Sequence, residues 1–172
     1  MLFALMALAA AQSGYADPLA PAASGQVQCY APTDHKTCAS MSGYTALGDG
    51  IYNNVVTVLL AKQPVIVMQT TTPVAIKSGA VCGAITRQSI AAAALNVNGQ
   101  AMPADKAAPV LQRIAVSLGS VIDHEICTSY VPDSAGPGTG FVAQASMDGK
   151  RQPDQDQKVI WVSPSDGYTV AP

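Results

Sequence analysis

Apolar positions follow a two-residue rhythm in the first and last thirds of the chain and a helical rhythm between them. Val55-Val56-Thr57-Val58-Leu59-Leu60 is a β-branched run that reads as a buried strand. Lys62-Gln63-Pro64 can turn it back onto Val65–Thr70, its expected antiparallel partner. Pro73 cannot donate to a ladder and marks an edge or a break between strands. Val74–Lys77 and Ala80–Cys82, joined by Ser78-Gly79, predict a second tight hairpin. Upstream, Gln26–Ala31 alternates as a short strand, and Gly48-Asp49-Gly50 closes a small-residue segment as a turn.

The rhythm then changes. Thr86 is a credible N-cap for a helix over about 86–95, which Asn98-Gly99 terminates. Val110, Leu111, Ile114, Leu118, Val121 and Ile122 share one helical face and predict a second helix over about 107–122. Asp105 or a neighbour should cap it, with Pro109 in its first turn. Strand character returns at Ile126–Val131, Phe141–Met147 and Val159–Val162, with Asp148-Gly149 as a hairpin signal. Strands, then helices, then strands predict an α+β fold: a mostly antiparallel sheet with both helices packed on one face. No repeat of 20–50 residues is present, which excludes solenoids and propellers.

The N-terminus has a pattern of its own. Leu2–Ala11 is an unbroken apolar run, shorter than the roughly 20 residues a membrane span needs and matched to a secretion signal. Gly14-Tyr15-Ala16 fits a signal-peptidase site, with Ala9-Ala10-Ala11 as the rival; no basic residue precedes the run. Residues 1–16 are therefore expected to be a signal peptide, 17–25 a flexible lead-in and 26–172 a single globular domain. No later stretch is apolar enough to span a membrane.

Four cysteines in an exported chain read as two disulfides, and the expected pairs are Cys29–Cys38 and Cys82–Cys127. Periplasmic or extracellular localisation follows. A metal site is not expected, because no C-x-x-C pair exists and the chain has two histidines. Nine Lys and Arg against eleven Asp and Glu, a net charge of −2, supply no basic stripe for nucleic acid.

Candidate chemistry is sparse. Asp123-His124-Glu125 is the densest ionisable cluster and contains the only glutamate. On an extended segment its two carboxylates share a face, where burial could split their pKa values for acid–base work. The expected setting is a solvated corner between helix and strand. His35, beside Asp34 and Lys36, sits in a polar turn. The stretch Gly136–Gly140 resembles a phosphate loop but lacks its Lys-Ser/Thr ending. Asp148, Asp154 and Asp156 lack calcium-loop spacing. The tyrosines are dispersed, without a stacking ladder, and Trp161 is expected in the core.

These readings favour an exported, non-catalytic domain acting through its surface: a binding, inhibitory or envelope-associated module without a cofactor. Its partner would be a protein or envelope component. The alternatives are a small secreted hydrolase using Asp123, Glu125 or a histidine, and a structural subunit of a surface assembly.

Overall fold

The computed structural model describes residues 17–134 and 140–172. The expected signal segment 1–16 and most of the phosphate-loop-like stretch lie outside the described residues. The strands are β1 (Val27–Tyr30), β2 (Thr37–Cys38), β3 (Ser40–Gly48), β4 (Ile51–Lys62), β5 (Val65–Lys77), β6 (Ala80–Ala84), β7 (Ala94–Val97), β8 (Gln100–Ala101), β9 (Glu125–Pro132), β10 (Phe141–Met147), β11 (Lys150–Arg151), β12 (Gln157–Val162) and β13 (Thr169–Val170). The helices are α1 (Arg87–Ala91) and α2 (Ala104–Ser117).

The expected α+β sheet with helices covering one face is not what forms. The fold is mostly β, an eight-stranded closed antiparallel barrel with extra strands. Around the ring the order is β1, β3, β4, β5, β6, β9, β10, β12, so neighbours in space are neighbours in sequence apart from the interposed short elements. The last strand closes on the first, with Val27 opposite Val162 and Tyr30 opposite Val159. Closure removes the unpaired edges that an open sheet of these strands would present.

The expected hairpins form locally. Val58 lies opposite Met68 in the β4–β5 pair, and Ala75 opposite Cys82 in the β5–β6 pair. Ser78-Gly79, Asn98-Gly99 and Asp148-Gly149 all have positive φ at both positions, the backbone twist that two-residue hairpin turns need. Pro73 pairs with Asn53 on one side. On its other side it falls in the gap between the β7 partners, which end at Gln69, and the β6 partners, which begin at Val74. A residue without an N–H is tolerated there.

Both helices are shorter than expected. Thr86 caps α1: its Oγ1 accepts from the Ser89 N–H, and its own backbone N–H donates to Oγ of Ser89. The helix stops at Ala91 because Ala94–Val97 is taken as a strand by β5, with Leu95 opposite Met68. Pairing and burial override the helical propensity of the alanine run. The second helix starts after Pro103, not after Asp105, and runs through Pro109 to Ser117, leaving 118–122 as turns. Met68, Ile90, Leu95, Ala107 and Leu111 form a buried cluster with Val58, Ile85, Ile114 and Leu118 packed against it. Because Met68 and Val58 point into the barrel, the helices close one of its ends.

The opposite end is stoppered from the N-terminal side. Residues 20–24 form a 3-10 helix, and the preceding Leu19 is 1% exposed. Leu19 packs with Val74 and Val81, among Tyr44, Tyr52, Tyr130 and Trp161. Two disulfides lie on the outside of the wall. Cys29 is bonded to Cys38, both fully buried beneath Val162, and Cys82 is bonded to Cys127 directly across β6 and β9. Among the described residues no helix is long and apolar enough to cross a membrane.

Candidate functional site

Residues paired across an antiparallel ladder share a face, so the register identifies the inward set. Gln28 faces Ser42 on one side and Trp161 on the other; Ser42 faces Val56, and Val56 faces Thr70. This set is mixed in polarity and small in volume. Ser40, Ser42, Thr70, Thr72 and Gly83 take inward positions where larger residues would fill the barrel. The result is a cavity of about 620 Å³. A second hollow of about 340 Å³ shares Tyr30, Ile126 and Thr128 with it.

The cavity runs from a polar end to an apolar one. Near the helices its wall includes Val58, Met68, Ile90, Ile114 and Leu118. Its lining includes two exposed residues, Leu60 near the end of β4 and Ser117 at the end of α2, which place an opening between those elements. Toward the Leu19 stopper lie Tyr30, Tyr44, Tyr130 and Asn54.

The three tyrosines converge on Gln28, which has no solvent exposure. Its side-chain oxygen accepts from the hydroxyls of Tyr30 and Tyr44 at 2.8 Å and of Tyr130 at 3.1 Å. The Tyr30 and Tyr130 hydroxyls are also 2.8 Å apart. An amide oxygen has two lone pairs, so two hydroxyl protons occupy it and the third lies between Tyr30 and Tyr130. Burial pushes the phenols of Tyr30 and Tyr44 well above the ordinary tyrosine range, and neighbouring Tyr130 adds to this. Both therefore stay neutral at any physiological pH. Among the described residues two buried polar side-chain atoms remain without a partner: the amide nitrogen of Gln28 and Oδ1 of Asn54. An unmatched buried group of this kind costs about 1–3 kcal/mol.

None of the described residues lining either hollow is charged. Asp123, His124 and Glu125 line neither. Asp123 has φ 64°, so the corner is not extended and its carboxylates do not share the face that regular alternation would give. The ring Nδ1 of His124 lies 2.5 Å from Oδ2 of Asp148, while Glu125 pairs with Lys77. The Glu125 N–H donates to Oδ1 of Asp148 at 3.0 Å. These two bonds, His124 first, hold the exposed Asp148 carboxyl below the usual carboxylate range. The cluster is thus a surface strap between β9 and the β10–β11 turn. His35 is exposed in its turn, and Asp156 pairs with Arg151. Glu125 also lies near Cys82 and Cys127, but the disulfide removes both sulfurs as metal ligands.

Sequence reasoning missed the lumen. Tyr30, Tyr44 and Tyr130 are scattered in the chain, and only the ring register brings them together. The available signal was their phase: each sits two residues from another inward side chain, Gln28, Ser42 and Thr128. Comparison with protein-family models, with curated proteins and with solved structures finds no match to the chain.

Proposed function

We propose that this is an exported, non-catalytic binding protein whose ligand sits inside the barrel. The observation that carries the reading is the unfilled lumen. Protein interiors are close-packed, and an eight-stranded barrel is just wide enough either to be filled by side chains or to hold one small ligand. Here small residues at inward positions keep about 620 Å³ open, in the size range of small-molecule sites. Apolar walls supply affinity, and a few convergent polar groups at one end supply orientation.

Among the described residues no Asp, Glu, His, Lys or Cys side chain lines either hollow, which supports binding over hydrolysis, since acid–base work near neutral pH needs such a group within reach of the substrate. Two disulfides support an oxidising compartment, periplasmic or extracellular, and the apolar run 2–11 supports export.

A shallow outer groove favours a second reading, docking of a protein or envelope component at the surface. Val27, Met41, Val55, Val67 and Val170 line it on the outer face of the barrel.

Titration of a neutral fluorescent reporter, N-phenyl-1-naphthylamine, against the wild type and Val56→Trp tests the lumen reading. The inward tryptophan should abolish saturable binding while the fold, followed by circular dichroism, persists. Undiminished binding by a folded Val56→Trp protein would place the ligand elsewhere and favour the outer groove.

A further inference from the structure

We infer that the two hollows act as one bent site for a two-lobed, mostly apolar ligand, and that Ala143 and Ala145 on β10 select its smaller lobe. This rests on the lumen-binding reading and adds the ligand's shape and the residues that choose it.

The two hollows divide the barrel between them. Among the described residues, the strands lining the larger one are β1, β3, β4, β5, β6 and β9, and those lining the smaller one are β9, β10, β12 and β1. Only β1 and β9 belong to both, and they supply the three shared residues, Tyr30, Ile126 and Thr128. The ladder register puts both spaces on the inner side of the wall. Ala143 pairs with Tyr130 and Gln157, and Ala145 pairs with Thr128, so the small residues of β10 share a face with residues that line the larger hollow. The hydroxyls of Tyr30 and Tyr130 meet 2.8 Å apart and bridge β1 to β9. Tyr130 lines only the larger hollow, while Ile126 and Thr128, nearer the start of β9, line both. The two spaces therefore adjoin along Ile126 and Thr128, beside the tyrosine pair.

Alanine at two successive inward positions of β10 leaves about 340 Å³ open in a barrel that larger side chains could fill. An apolar group extending into that space from the larger hollow leaves water and meets Ala143, Ala145, Met147 and Ile126. Each methylene so buried strengthens binding about fourfold. A ligand confined to the larger hollow gains none of this. The glutamines of the smaller hollow stand at its outer edge, where Gln155 and Gln157 are exposed, so its apolar contact comes from β9 and β10.

Two matched hydrocarbons test this, with affinities read by displacement of N-phenyl-1-naphthylamine. 1-Phenylhexane carries one ring on a flexible chain, and 1,6-diphenylhexane adds a second ring at the far end. Wild-type protein should bind the two-ring compound about 30-fold more tightly, the gain expected of burying one further ring of side-chain size. Ala145→Leu fills the smaller hollow and should bring the ratio to within about threefold, mostly by weakening the two-ring compound. Ala145→Val fills less of it and should move the ratio in the same direction if the leucine variant does not fold. Binding that Val56→Trp abolishes, but with the wild-type ratio kept in a folded Ala145→Leu protein, would show that one hollow suffices; the inference then fails and the lumen reading stands. Equal affinity of the wild type for the two compounds would refute the inference in the same way, as would an equal loss of both in Ala145→Leu. If neither compound shows binding sensitive to Val56→Trp, the lumen reading fails and this inference fails with it.

Discussion

The hydroxyls of Tyr30 and Tyr130 meet at 2.8 Å although the residues are 100 positions apart. With Tyr44 they share the oxygen of Gln28, and the cluster must stay protonated to do so. This sets an alkaline limit on the fold. Below about pH 10 the folded and unfolded chains both keep these protons, so the phenols add no pH dependence. Above it the unfolded chain releases them while Tyr30 and Tyr44 hold theirs, and stability falls by up to about 1.4 kcal/mol per pH unit for each. Urea midpoints between pH 8 and 12 should show the fall, and Tyr30→Phe or Tyr44→Phe should reduce its slope. An unchanged slope in both variants would contradict the assignment.

Gly83 is the point where the lumen wall tolerates no side chain. A methyl group there would lie 2.8 Å from Cγ1 of Val74 and 3.0 Å from the Pro73 carbonyl oxygen. Gly83→Ala should cost about 1–3 kcal/mol, the usual penalty of overpacking. Chemical denaturation measures it directly. Loss of stability within error of zero would mean that β5 shifts freely at this position.

Leu19 closes one end of the barrel from outside the ladder. Leu19→Ala should cost about 2–5 kcal/mol and let water reach Trp161, which packs in the same cluster. Trp161 is the only tryptophan, so its emission reports on this site alone. A red shift in the folded variant is expected, and an unshifted spectrum would show that the end stays sealed without Leu19.

Asp148 ties the start of β9 to the β10–β11 turn through His124 and the Glu125 N–H. Its folded pKa lies below the unfolded value of about 3.9, so its contribution is present above that pH and disappears as pH falls through the depressed folded value. Asp148→Asn should lower the melting temperature at neutral pH, and the loss should shrink as pH falls through the depressed folded value. A loss of the same size across this range would show that the carboxylate's charge is irrelevant to the strap.

How far the sequence reveals this structure depends on distance along the chain. The β4–β5 and β5–β6 hairpins, their turns and the Thr86 cap are legible because each is a local choice of backbone angle and alternating apolar side chains. Ring closure is not, since it rests on Val27 meeting Val162, and no local pattern distinguishes a curled sheet from an open one. Alternation also loses contrast where a strand is polar or apolar on both faces. Thr70-Thr71-Thr72 is inward, outward, inward, yet presents one residue type. The helices are overread for a related reason. Ala92–Leu95 suits a helix in isolation, but Leu95 gains more from packing against β5. The acidic corner drew attention because charge is conspicuous in a sequence that is only 12% charged, whereas a hollow leaves no mark on composition.

The seam between β1 and β12 also sets a schedule. Seven of the eight ladders around the ring join strands that follow one another along the chain, and the eighth must wait for residue 162 to emerge. Without that pairing the remaining seven ladders form an open sheet with two free edges and no enclosed interior. Such a late, long-range pairing is slow to form, because much of the chain must be ordered before it is rewarded. The lumen therefore exists only once β1 and β12 have met, and a chain held open at that seam would have no enclosed cavity at all.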